Sequence, residues 1–134
     1  METKMLKLKI RMMAVILFAV FFYGCKPAYS AQIQTASYYT YESCVREGTS
    51  GVWTASGERF NENDLTCALR SRDFGKSYKV TNLKNGKSII VRHNDFGPNK
   101  KLHSSGRIID LSKGAFQRIA NLKEGVILVN VESI

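Results

Sequence analysis

Residues 78–98 read YKVTNLKNGKSIIVRHNDFGP, and the folding of this stretch decides the architecture. Tyr78 and Val80 alternate with Lys79 and Thr81, as in a half-buried strand. Residues 88–91, SIIV, open a second strand-like run rich in β-branched side chains. Asn85-Gly86 lies between them, and Asn-Gly flanked by strand patterns is the strongest short-range hairpin signal. The second strand then carries Asp95 into a turn, since Asn94, Asp95, Gly97 and Pro98 are turn-forming types. Two readings of Asp95 follow. Either it makes an Asx-type turn before Gly97-Pro98, or the strand end presents its carboxylate to a substrate.

Working outward, SYYTY at 37–41 starts an earlier strand. Residues 45–64, rich in Gly, Ser, Thr and Asn, read as loop, and residues 66–69 as a short strand or helix start. Leu111, Ala115, Phe116 and Ile119 recur at helical spacing, with Asp110 or Ser112 as the cap and Gly114 counting against the helix. The last run, GVILVNVESI, is a strand. An all-β domain with one short helix is expected. Many short strands in so small a domain suggest a closed barrel, because closure removes exposed edges.

The 134 residues hold at most one such domain. Residues 1–11 carry four basic groups and one acid, and residues 12–24 carry no charge. A basic start before a short apolar run reads as a signal peptide over 1–24, since a spanning helix needs about 20 apolar residues. Cys25 ends the run behind Gly24, which suggests lipidation at Cys25; cleavage near Ser30, after Ala28-Tyr29-Ser30, is the rival. Residues 25–36 would be a tether and 37–134 the folded domain. Export makes Cys44 and Cys67 a disulfide candidate, with a cross-link worth about 3–4 kcal/mol; buried thiols are the alternative. No CxxC pair or Cys/His cluster points to a metal or other cofactor. From Lys26 onward there are 16 Lys and Arg against 10 Asp and Glu, so anionic partners are favoured. No nucleic-acid-binding signature accompanies the charge, and a monomer is expected.

The stretches SYYTYE, TASGERFNENDLTCA, YKVTNLKNGKSIIVRHNDFGP and GRIIDLSKGAFQRIA together resemble the rare lipoprotein A family, which is related to expansins. The resemblance implies a six-stranded double-psi β-barrel with a surface groove. It implies an exported lytic transglycosylase that cleaves peptidoglycan glycan strands to 1,6-anhydro ends. Many members carry a septal peptidoglycan-binding domain after the barrel, and the residues that follow VNVE leave no room for one. The implied place is periplasmic or cell-surface, as a membrane-anchored lipoprotein. Lys26 after Cys25 favours the outer membrane in a cell with two.

The resemblance makes Asp95 the active-site aspartate. A lytic transglycosylase needs one carboxylic acid, because the muramyl 6-hydroxyl replaces water as nucleophile. The pair of carboxylates of a hydrolase is then not required. The family pattern matching residues 66–69 is Thr-Ala-Ala-His, and here Leu69 stands at the histidine. On a straight strand His93 would share the face of Asp95 and supply an imidazole; an exposed strand-end residue is the other reading. His103, in the next loop, is a second candidate. Tyr38 or Tyr39 would stack on a sugar, one of the pair belonging to the core. Thr54, Ser56 and Glu58 match a glycan-contacting loop. Arg92 and Arg107 would hold acetyl carbonyls or a stem-peptide carboxylate, and Trp53 would be a sugar platform or a core anchor. Asp110 is either the helix cap or a groove carboxylate beside Asp95. The alternative function is a non-catalytic, expansin-like protein that binds glycan and loosens the wall. A secreted inhibitor or effector using the barrel as scaffold is a third.

Overall fold

The computed structural model describes residues 33–48 and 52–134. The expected signal peptide, Cys25, the rival cleavage near Ser30 and the tether up to residue 32 lie outside them. The strands are β1 (Thr35–Tyr39), β2 (Thr66–Leu69), β3 (Ser77–Asn82), β4 (Ser88–Phe96), β5 (Arg107–Ser112) and β6 (Ile127–Ser133). They close into a barrel in the order β1-β5-β2-β4-β3-β6. Two neighbouring pairs are parallel, β1 with β5 and β2 with β4. The other contacts around the barrel are antiparallel. The expected barrel is therefore present, with β1 starting two residues before the expected boundary at 37.

One short helix was expected, and the described residues hold three: α1 (Tyr41–Arg46), α2 (Lys100–Ser104) and α3 (Lys113–Ile119), with a 3-10 turn at Leu122–Glu124. The first two are short and bury no residue, so they lack the apolar stripe that periodicity detects. Local caps hold them instead. Thr40 and Ser43 form a reciprocal capping box for α1, and Asn99 caps α2.

The expected helix is α3, and it closes one flank of the barrel with Ala115, Phe116 and Ile119 fully buried. Ser112 is its cap: the hydroxyl accepts from the Ala115 amide at 3.3 Å and donates to the carbonyl of Asp64. Gly114 is explained by closeness of backbones. A Cβ there would lie 2.6 Å from the carbonyl oxygen of Asn63, while the Gly114 amide donates to Glu62 at 2.7 Å. Glycine costs helix propensity but admits the loop that runs over it.

The hairpin expected at Asn85-Gly86 joins β3 to β4, with Val80 facing Ile89 and Tyr78 facing Val91. Its loop is longer than a two-residue turn, and Gly86 supplies a positive φ of 71°. Asn82 is fully buried and donates to the carbonyl of Ile119 at 2.8 Å; Asn85 donates to the same oxygen at 2.9 Å. The hairpin thereby satisfies an orphan carbonyl at the end of α3. Val80, Val91, Ile109, Leu111 and Phe116 lead the core.

Cys67 is fully buried in that core, Cys44 is half-buried on α1, and the two are separate thiols. The expected disulfide is absent. Burial pushes the Cys67 thiol up to about 12, so it is an inert packing group.

Candidate functional site

Three adjacent strands bring two carboxylates into one groove. Ala68 in the middle of β2 pairs with Asp95 on β4 on one side and with Asp110 on β5 on the other. Two strand spacings separate the two Cα atoms, about 9.5 Å. Ala68 keeps the floor low between them. Gly97 does the same beside it: a Cβ there would lie 3.7 Å from that of Ala68 and 3.9 Å from Oδ2 of Asp110. Asp95, Asp110, Tyr39, Trp53, Phe60 and Phe96 line the groove.

Asp95 is half-buried, and its two oxygens differ. Oδ1 accepts from the amide of Phe96 at 2.8 Å and from that of Ala55 at 3.0 Å. Oδ2 has no partner among the described residues. The turn reading and the site reading thus hold together: one oxygen anchors the strand end and the 54–58 loop, and the other stays open to the groove.

That loop is built to deliver the Ala55 amide. Thr54 Oγ1 meets Ser56 Oγ at 3.0 Å and donates to the carbonyl of Glu58 at 3.2 Å. The Ser56 amide donates to the carbonyl of Asn94. Both guanidinium nitrogens of Arg92 grip Glu58, at 2.5 and 2.7 Å, and Asn94 adds a bond at 3.3 Å. Arg92 in turn holds the Glu58 carboxyl below its ordinary range. Thr54, Ser56, Glu58 and Arg92, expected to touch glycan, are bonded among themselves, and none is in the groove lining.

His93 departs furthest from expectation. A bulge interrupts the β2–β4 register: Cys67 faces His93, but Ala68 already faces Asp95. Asn94 is the extra residue, and a bulge breaks the period of two. His93 and Asp95 therefore do not share a face. His93 is fully buried, tilted against Phe74 at 5.0 Å with the edge of Tyr78 at 6.3 Å. Its Nδ1 lies 3.2 Å from the carbonyl oxygen of Asp73, and Nε2 lies 2.9 Å from that of Asp95. The imidazole is a buried brace between backbone segments, not a groove base. His103 is exposed on α2, off the groove lining.

Leu69 does not face the groove either. It packs on the core, while Ala68 and Arg70 line the groove. Alternation along β2 accounts for this. The leucine at the position of the family histidine is a packing group in this barrel.

Asp110 is buried, and Nε of Arg107 reaches its Oδ1 at 2.6 Å. Burial raises its carboxyl above the ordinary range against the opposing pull of Arg107. It does not cap α3, because Ser112 does. Tyr38 and Tyr39 divide as alternation requires. Tyr38 packs on Phe116 at 4.9 Å, and Tyr39 stacks on Phe60 at 4.8 Å in the groove. The Tyr39 hydroxyl is buried without a partner. Burial, then the charge of Asp95, pushes its pKa far above the usual phenol value, so it remains a donor. Trp53 lies 58% exposed on the rim, a wall residue rather than a core anchor. Among the described residues no cluster of His, Cys, Asp and Glu has the geometry of a metal site.

Sequence reasoning missed the Ala55 amide, Phe60 and the Arg70–Phe96 rim. Alternation on β2 would have pointed to Arg70; the backbone donor has no residue-type signal.

A closed six-stranded barrel with two parallel pairs, holding two carboxylates in an aromatic-walled groove, is a barrel of the expansin-related double-psi type. The chain belongs to the lytic transglycolase family, whose model matches residues 31–131. It is similar to the probable endolytic peptidoglycan transglycosylase RlpA of Synechocystis sp., with 52% identity over 79 residues, 59% of this chain and 23% of that protein. The chain spans less than half the length of the curated relatives it matches, 23% of the Synechocystis protein and 45% of the one from Rickettsia felis. Among solved structures it resembles the Streptomyces papain inhibitor, with a TM-score of 0.57, 21% identity, and coverage of 81% of this chain and 97% of that one. It also resembles a mutant Clavibacter michiganensis expansin in complex with cellohexaose, with a TM-score of 0.55, 16% identity, and coverage of 77% and 50%. At such identities these two likenesses speak for the fold alone.

Proposed function

We propose that the barrel is an exported lytic transglycosylase acting on peptidoglycan glycan strands, with Asp95 as general acid. The observation that carries the reading is the open Oδ2 of Asp95 in a groove it shares with Asp110 across Ala68. Family membership and the activity named for the relatives support it. Protonated Asp95 would give its proton to the glycosidic oxygen as the bond to the anomeric carbon breaks. The muramyl 6-hydroxyl would attack that carbon and pass its proton to the resulting carboxylate, restoring the acid and leaving a 1,6-anhydro end. The 54–58 loop aims the carboxyl through Ala55, and such orientation is a large part of catalysis. Tyr39, stacked on Phe60, would offer its ring to a sugar face, and Asp110, with its proton favoured by burial, would donate to a sugar oxygen from the opposite wall.

Lipidation at Cys25 would hold the barrel at a membrane facing the wall, the outer one in a cell with two. One observation favours the binding alternative: no histidine lines the groove among the described residues. An expansin-like protein that grips glycan without cutting it would need only the aromatic walls and the carboxylates. The test is to incubate the protein with purified sacculi and follow soluble sugar against time. Release that Asp95→Asn abolishes supports the enzyme; equal sedimentation of both proteins with intact sacculi and no release supports the binding barrel.

A further inference from the structure

The arginines first assigned to substrate carboxylates are already taken. Arg92 is held by Glu58 and Arg107 by Asp110. Another set of cations is not. Arg70 and Lys100 line the groove, and Arg72 stands beside them; all three are exposed, and none forms an ion pair among the described residues. The two arginines flank Phe96, the residue after Asp95. The guanidinium carbons of Arg70 and Arg72 each lie 5.2 Å from the centre of its ring, which is itself 40% exposed. Arg70 Nη1 also donates to the carbonyl of Pro98 at 3.2 Å. Ring and carbonyl thus hold two planar forks in place before any ligand arrives, so less ordering is lost on binding. Glu47, the other carboxylate of the groove lining, forms no ion pair with these three among the described residues.

We infer that Arg70 and Arg72 on Phe96, with Lys100 on the same groove lining, form a subsite for a carboxylate carried by the glycan next to the bond at Asp95. This rests on the peptidoglycan reading above. A guanidinium fork matches a carboxylate in two bonds, and a rim contiguous with Asp95 places that anion within one sugar of the scissile bond. Two sources share the chemistry: the lactyl group of muramic acid when no peptide is attached, and the stem peptide when one is. A neutral glycan offers neither.

The test is a titration of the full chain carrying Asp95→Asn, so that no ligand is cut. The ligands are muramyl oligosaccharides with free lactyl carboxylates, the same oligosaccharides as lactyl methylamides, and peptide-bearing oligosaccharides. About tenfold tighter binding of a carboxylate form than of the methylamide is expected, shrinking with added salt. Whichever carboxylate form gains identifies the source. Adding Arg70→Gln and Arg72→Gln should erase the gain while leaving methylamide binding unchanged, and Arg72→Lys alone should retain part of it. Equal affinity for all three ligands would overturn the subsite and leave the glycan reading standing. A gain that survives the double substitution would also overturn it. Binding of none of the three would remove the glycan reading and the subsite with it.

Discussion

Replacing His93 with phenylalanine separates a structural histidine from a catalytic one. The ring would keep its place between Phe74 and Tyr78, but both nitrogens would go. In the native protein they face the backbone oxygens of Asp73 and Asp95 at 3.2 and 2.9 Å. Only an N–H of the ring can donate to a carbonyl, and phenylalanine has none. Losing a donor to a buried carbonyl costs about 1–3 kcal/mol. For a domain of this size each kcal/mol lowers the melting temperature by about 4–8 °C, so a fall of roughly 5–20 °C is expected. The assay is thermal unfolding followed by circular dichroism, paired with release of soluble product well below the transition. Activity per folded molecule should change by less than about tenfold, whereas removing a general acid or base costs about 10²–10⁴-fold. An unchanged melting temperature with activity lost by the larger factor would refute the brace and restore His93 to the chemistry.

Tyr39→Phe removes a buried hydroxyl that has no partner. Stability should rise by up to about 1 kcal/mol in denaturant titration while glycan affinity is retained through the ring; a loss of stability would mean the hydroxyl is bonded within the fold. Asp110 has a folded pKa raised by burial, so its contribution to stability is full below its unfolded pKa and is lost as pH rises through the folded one. Asp110→Asn cannot ionise. Its melting temperature should therefore gain on the native protein as pH rises above the unfolded carboxyl value of about 4, and parallel curves would contradict the burial argument. Glu58→Gln loosens the grip of Arg92 on the loop that carries Ala55. The pair is partly exposed, so stability should drop by no more than about 1 kcal/mol. Activity should fall roughly 10- to 100-fold through misplacement of Asp95, and full activity would show that the loop does not aim the carboxyl.

What the sequence made legible was what repeats or punctuates. Alternation at Tyr78 and Val80, the Asn-Gly turn and the spacing of Ala115, Phe116 and Ile119 correspond to elements of the fold, whereas Leu111, counted with the helix, lies on β5. Asp95 and Asp110 were named, and the fold brings both to Ala68. The faces of β4 were not legible, because a bulge is one extra residue with no fixed signature and Asn94 looked like part of a turn. That single insertion moved His93 into the core. The pairing of Glu58 with Arg92 was equally hidden, since a charge shows its type in sequence and its partner only in space. Short α1 and α2 escaped because they bury nothing.

The most direct measurement is the end-group chemistry of glycan strands after incubation with the full chain, read by mass spectrometry beside Asp95→Asn. The account predicts 1,6-anhydromuramyl ends that accumulate with the native protein and disappear with the variant, although both remain folded. Reducing ends formed by hydrolysis, or anhydro ends at the same rate from Asp95→Asn, would contradict it.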